Sequence, residues 1–136
     1  MYNDFFARPR NLLYTSSAAD PDVPQEEISF ILQRLNAAGV RIANAIFQAM
    51  PIAEALQEAR RATAPDAAAA LSRINNYSKL VGNYLSDAMF KISFQRPTDI
   101  MYLNEIASLA EQAADQVEDE ARFVVFLAEV AEEIRP

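Results

Sequence analysis

The amino-acid sequence predicts an all-α protein: a helical bundle of three long helices plus one short helix, with an extended aromatic N-terminal arm. Three observations predict this class. The 136 residues are 51% hydrophobic, which is enough to build a core without disulfides or metals. Only two glycines are present, fewer than the turns of a β protein require. Apolar residues also recur at alternating spacings of three and four, as they do along helices packed at shallow angles.

Prolines divide the chain into four helical segments. Pro24, Pro51, Pro65 and Pro97 each stand at the first turn of a helical pattern or just before it, where the missing N–H costs least. Acidic residues follow each proline, and negative charge in a first turn favours the helix dipole. The arm covers residues 1–23 and the bundle residues 24–136, with predicted helices at 24–50, 51–63, 65–94 and 98–134.

Heptad-like apolar seams run along the three long segments. The first seam consists of Ile28, Ile31, Leu35, Ala38, Ile42, Ala45 and Ala49. The next long segment repeats the spacing with Leu71, Ile74, Ser78, Val81, Leu85, Ala88 and Ile92. The last seam is rich in alanine and consists of Ile100, Leu103, Ala107, Ala110, Ala114, Val117, Ala121, Val124, Ala128 and Ala131. Small seam residues allow two helices to approach closely.

Both glycines fall inside predicted helices. Gly39 and Gly82 each cost up to about 1 kcal/mol there relative to alanine. The plainest explanation is that another backbone passes close to each of them.

The net charge of −7 is concentrated at the end of the chain. Residues 97–136 contain ten acids and two bases, a net charge of −8. Residues 65–96 carry a small basic surplus, which favours antiparallel pairing with the acidic segment. A nucleic-acid binder normally carries a basic stripe, so no nucleic-acid partner is expected. No apolar run approaches the roughly 18 residues of a membrane span, so a soluble protein is expected.

Evidence for catalysis is thin. The chain has no cysteine and no histidine, which removes thiolate sites and the commonest general base. Phosphate-binding glycine loops are also missing. A run of acids on the last helix lacks the pattern of a calcium loop, so a solvated acidic face is expected at Glu111, Asp115, Glu118, Asp119 and Glu120. We therefore expect no enzyme, no catalytic residue, no cofactor and no metal.

The stretch "FVVFLA" at residues 123–128 is apolar on all sides of the last helix, although acidic runs flank it. We call residues 123–127 the apolar collar. A helix that faces one core needs an apolar stripe little more than 100° wide, so the collar must be covered on more than one side. The cover is either the chain's own arm or another molecule.

The arm is rich in aromatic residues, which include Tyr2 and Tyr14. Exposed together, the arm and the collar would form an apolar patch of the kind that marks an interface. Whether the arm packs on its own chain or on a neighbour is left open. The predicted interface residues are Phe5, Phe6, Leu12, Leu13, Phe123, Val125, Phe126 and Leu127.

One stretch has a local family resemblance. The residues that carry it are Pro65, Asp66, Leu71, Tyr77, Asn83 and Ile92. Residues 64–92 resemble the turn and C-terminal helix of type III secretion needle and inner-rod subunits. In that family the chain stops soon after this helix, whereas here a further long helix follows. The resemblance implies a subunit of a helical secretion filament.

These features favour a non-enzymatic subunit that acts through protein contacts. The first hypothesis is self-assembly into an oligomer or filament. The alternative is an acidic monomeric or dimeric binding module for a basic protein partner, such as an inhibitor, immunity protein or secretion chaperone. A third hypothesis is a protein that binds a small molecule between its helices, but no feature of the sequence favours it. Without a secretory signal pattern, we expect a cytoplasmic protein or one exported without a cleavable signal peptide.

Overall fold

A computed structural model describes residues 25–93 and 99–133. Helix α1 is Gln25–Glu58, α2 is Ala64–Ile92 and α3 is Asp99–Glu133. The residues within these two ranges form helices and turns and contain no strand, which confirms the all-α class. The predicted arm, residues 1–23, lies outside the described residues.

The three helices run up, down and up. A short turn joins α1 to α2, and the two helices form an antiparallel hairpin. Arg34 of α1 binds Glu111 of α3, and Arg41 binds Glu118, so both helices advance by seven residues in the same direction. Helix α3 is therefore parallel to α1 and antiparallel to α2. It packs more extensively against each of them than they pack against each other.

The predicted break at Pro51 is wrong, and with it the separate short helix at 51–63. Helix α1 continues through Pro51 to Glu58. Ala49, Ala53 and Leu56 extend the buried seam across the proline, which is itself exposed. Water can therefore satisfy the carbonyl that loses its partner, while burial of the seam holds the helix together.

The core follows the predicted seams of α1 and α3. Every predicted seam residue of α1 is buried, and Ala107, Ala110 and Ala114 of α3 are fully buried. Alanine at these positions lets α3 approach both partners, since no long side chain separates the backbones. The largest fully buried side chains are Ile31, Leu35, Ile74, Leu103, Val117 and Val124.

The turn after α1 is a Schellman motif. The Arg60 N–H donates to the Gln57 carbonyl at 3.1 Å, and the Arg61 N–H donates to the Leu56 carbonyl at 3.0 Å. This pattern requires a left-handed residue, usually glycine, and Arg60 takes that place with φ of 54°. The bonds satisfy carbonyls that the helix end leaves open and turn the chain into α2.

The prediction for the two glycines is also wrong for the residues that the structure describes. A Cβ added at Gly39 or Gly82 would meet no atom within 4 Å. Neither glycine is therefore required by close packing of the described helices. Leu85, a predicted seam residue of α2, is 42% exposed and lines the same gap between α1 and α2 as the two glycines do.

Candidate protein-contact surfaces

The apolar collar is divided between the core and the surface. Val124 is fully buried and Leu127 is 5% exposed, so both side chains pack inside the bundle. Val125 is half-buried. Phe123 is 37% exposed and Phe126 is 55% exposed. Leu127, predicted as an interface residue, thus belongs to the core of the subunit, and only part of the collar is open.

The open part of the collar forms one patch on α3. Phe126 lies three residues after Phe123, and the half-buried Val130 lies four residues after Phe126. Residues at these spacings share one side of a helix. We call Phe123, Phe126 and Val130 the α3 patch. The other predicted interface residues, Phe5, Phe6, Leu12 and Leu13, lie outside the described residues.

A second apolar surface, which the sequence reasoning missed, is a groove between α1 and α2. It has a volume of about 310 Å³, and both Gly39 and Gly82 line it. Val40 of α1, 50% exposed, and Leu85 of α2 contribute its apolar surface. Its polar lining includes Asn36 and Ser78, and none of the described residues that line it is charged. We call this feature the α1/α2 groove.

The spacing of the glycines is the signal that could have revealed the groove. Gly39 lies 19 residues before the end of α1 at Glu58, and Gly82 lies 18 residues after the start of α2 at Ala64. In an antiparallel hairpin, these distances place the two residues at the same height. Absence of both side chains at one height leaves a gap between the helices.

Exposed apolar residues continue the groove in both directions. Phe47 is 79% exposed and follows Val40 by seven residues on α1. Met89 is 53% exposed and follows Leu85 by four residues on α2. These spacings keep each pair on one side of its helix. The groove is therefore the middle of a longer apolar strip.

On the other side of α1, arginines bind the acids of α3. Arg34 forms a fork with Glu111, from Nε to Oε2 at 3.0 Å and from Nη2 to Oε1 at 2.8 Å. The same guanidinium donates to Asn104 Oδ1 at 3.2 Å and to Ser108 Oγ at 3.1 Å. A planar guanidinium suits this arrangement because its donors are fixed in a fork.

The remaining acids of the run are also paired. Arg41 binds Glu118 through both carboxylate oxygens, at 2.9 and 2.7 Å, and also binds Asp115. Arg73 of α2 binds Glu120 at 2.7 and 3.0 Å, which is the predicted pairing of α2 with α3. Asp119 binds Arg122 on α3 itself. Two of these carboxylates, Asp115 and Asp119, remain mostly exposed, as expected for a solvated acidic face, but arginines bind all five acids of the run.

Ion pairing shifts the ionisation of two of these carboxyls. Hydrogen bonding to Arg34 lowers the pKa of Glu111 below its ordinary value, although desolvation opposes the shift. Hydrogen bonding to Arg41 lowers the pKa of Glu118 in the same way. Each arginine stabilises the charged form of its partner, so the pairs stay ionised to lower pH than isolated carboxyls.

The C-terminal end of α3 is held by the turn before α2. Arg61 Nη2 donates to the Ala131 carbonyl at 2.7 Å, and Thr63 Oγ1 donates to the Leu127 carbonyl at 3.3 Å. Ala131 lies in the last turn of α3, where carbonyls have no partner within the helix, so Arg61 satisfies one of them. Thr63 adds a second bond one turn earlier. The α3 patch thus stands on an anchored helix end.

Two other kinds of feature are absent from the described residues. Residues 25–93 and 99–133 contain no group of three or more acidic, histidine or cysteine side chains that could hold a metal ion. Within the same ranges, none of the helices has the length and apolar character needed to cross a membrane. Comparison with protein-family models, with curated proteins and with solved structures gives no match.

Proposed function

We infer that this chain is a non-enzymatic helical subunit that acts through protein–protein contacts, and that its main partner is a second copy of itself in an oligomer or filament. The observation that carries this proposal is the α3 patch. Phe126 is 55% exposed and Phe123 is 37% exposed on a helix whose other side is fully buried. Phenylalanine rings exposed side by side are typical anchors of a protein interface.

The position of the patch supports contact between copies. It lies on the outward side of α3, because Phe126 is two residues, or about 200°, from the fully buried Val124. The patch is therefore accessible without rearrangement of the core. Two copies related by a two-fold axis can cover each other's rings with the same residues.

The charges on α3 also favour this proposal over the acidic binding module. Arg34, Arg41 and Arg73 bind acids of α3 within the chain. Part of the negative charge of α3 is therefore neutralised before any partner arrives. A binder that used this charge to attract a basic target would gain less from it than the sequence suggests.

The test compares Phe126→Asp with Met101→Asp by light scattering and circular dichroism. Met101 is 82% exposed near the other end of α3, so it is a matched control for adding an acid to an exposed apolar position. We expect Phe126→Asp to lose self-association while keeping the helical signal, because a buried, unpaired carboxylate in the contact is costly. Met101→Asp should associate like the parent chain.

Two results would contradict the proposal. Equal association of the two variants would show that the patch is not the contact. Loss of helicity in Phe126→Asp alone would place Phe126 in the subunit's own core. A parent chain that is monomeric throughout would instead favour the alternative, an acidic module such as an inhibitor, immunity protein or secretion chaperone that binds a basic protein.

A further inference from the structure

The α1/α2 groove presents apolar surface that the described residues do not cover. Val40 and Leu85 line it at 50% and 42% exposure, and the apolar strip continues through Phe47 and Met89. Gly39 and Gly82 widen the groove where larger residues would narrow it. Three helices place α3 on one side of the α1–α2 hairpin only, so the opposite side has room for one further segment.

We propose that the N-terminal segment of the same chain, residues 1–24, docks in the α1/α2 groove. This inference goes beyond the proposed self-assembly, because it assigns the second apolar surface to a contact within one subunit. The α3 patch then stays available for a second copy.

The length of the segment and the place where it joins the bundle support this occupant. The segment joins α1 directly at Gln25, and Gly39 lies 14 residues along that helix, or about 21 Å away. Leu12 and Leu13 precede Gln25 by 13 and 12 residues. Those residues span about 18 Å as a helix and up to about 40 Å when extended, so the two leucines can reach the groove.

The direction of the groove also fits. Because α1 and α2 are antiparallel and Gly39 is level with Gly82, Met89 lies about two turns and Leu85 about three turns from the start of α1. The exposed apolar strip therefore begins close to the point where the segment enters the bundle and continues to the level of Phe47. A segment that folds back along α1 meets apolar surface along this path.

Two properties favour the groove over the α3 patch as the site for this segment: the lack of charge and the distance from Gln25. The stretch "NLLYTSSAA" at residues 11–19 contains no charged residue, and the part of the groove lining that the structure describes contains none either. The α3 patch is flanked by Arg122 and Glu129. Phe126 also lies at the level of residue 49 of α1, about 36 Å from Gln25, where Leu13 arrives only if the chain is nearly fully extended.

The test is crosslinking of two engineered cysteines, which is clean because the chain has none of its own. One variant combines Asn11→Cys with Asn36→Cys, which places a thiol in the groove. The control combines Asn11→Cys with Gln112→Cys, which places the second thiol on α3 at a similar height. Gln112 is exposed and lies midway between the fully buried Ala110 and Ala114, so it faces away from the bundle.

A short bis-maleimide is added to dilute protein, and the products are separated by mass. We expect a crosslink within one chain for the groove pair, at least about fivefold above the control pair, because docking raises the effective concentration of the two thiols. Adding Leu12→Asp and Leu13→Asp to the groove pair should lower the yield to that of the control. Circular dichroism confirms that each variant keeps its bundle.

Equal yields for the two pairs would overturn the proposal. A product with the mass of two chains would overturn it as well, since it would assign the groove to the segment of a second copy. Neither result bears on the α3 patch, because the readout is made within one chain at dilution. Failure of self-assembly through the patch would equally leave the crosslink unchanged.

Discussion

Arg34 of α1 and Glu111 of α3 are joined by two parallel N–H···O bonds, at 3.0 and 2.8 Å. The side chain of Arg34 is only 20% exposed. The pair ties two parallel helices that are not adjacent in the chain. It therefore helps to hold the register of α1 against α3.

Replacing Arg34 with methionine should lower the free energy of unfolding by about 1–2 kcal/mol, because Glu111 and its polar neighbours lose a shared donor. Urea denaturation measures the change. Arg122→Met is the matched control, since Arg122 binds Asp119 within α3 and both side chains are mostly exposed. That change should cost less than about 0.5 kcal/mol. Equal costs would mean that the Arg34 fork contributes no more than a surface pair.

Acid should weaken the bundle through the carboxyls of Glu111 and Glu118. Their pKa values in the folded chain are lowered from the ordinary 4.5. A lowered pKa means that the unfolded chain binds protons first, so stability is fully present above pH 4.5 and is lost as the pH falls through the folded pKa values. Urea titrations at pH 7 and at pH 3.5 should therefore show lower stability in acid.

The double variant Arg34→Met/Arg41→Met isolates this effect. Without the two guanidinium groups, both carboxyls lose the main cause of their lowered pKa values, so the variant should lose less stability between pH 7 and pH 3.5 than the parent chain does. An unchanged pH dependence would assign acid sensitivity to other carboxyls.

Arg60→Gly should stabilise the protein by about 1 kcal/mol. Arg60 has a φ of 54°, in the left-handed region that costs a residue with a Cβ roughly 1–2 kcal/mol. Thermal unfolding measures the gain as a higher Tm. Ala62→Gly is the control, because Arg60 is the only residue other than glycine with positive φ in residues 25–93 and 99–133. A gain at position 62, or none at position 60, would contradict the Schellman geometry.

The collar should respond differently at its buried and exposed positions. Leu127→Ala should destabilise the subunit by about 2–4 kcal/mol, since Leu127 is 5% exposed and truncation leaves a cavity. Phe126→Ala should cost less than about 1 kcal/mol in dilute protein, because its ring is 55% exposed. Urea denaturation of both variants at low concentration checks the difference. The reverse order would place Phe126 in the core.

The fold was largely predictable because its main determinant is periodic. The seam of α1 from Ile28 to Ala49 is buried at every position, and the alanine seam of α3 lies at the centre of the bundle. Pro51 misled the prediction because proline rules are local. Whether a proline ends a helix depends on whether water can reach the carbonyl that loses its hydrogen bond. Pro51 is exposed, and that exposure is set by the tertiary structure.

The ion pairs were only partly predictable. Counting charge by segment correctly predicted that α2 pairs with α3, where Arg73 binds Glu120, but it gave no sign of the pairs to α1, which has no basic surplus. The signal was the spacing: Arg34 and Arg41 are seven residues apart, as are their partners Glu111 and Glu118. Predicting these pairs also requires that α1 and α3 are known to be parallel neighbours. The sequence of neither helix shows this by itself.

The candidate surfaces were harder to predict than the core. The collar at 123–127 was visible as an excess of apolar residues, but which of them the subunit covers depends on the positions of α1 and α2. The α1/α2 groove cannot be predicted from either glycine alone. Only antiparallel pairing of the two helices brings Gly39 and Gly82 to one height.

The most direct test of self-assembly is the mass of the parent chain in solution, measured by light scattering over a wide concentration range. One chain has a mass of 15.1 kDa. Self-assembly through the α3 patch predicts a mass that rises with concentration, and Phe126→Asp should abolish the rise. A constant 15.1 kDa at every concentration would contradict self-assembly.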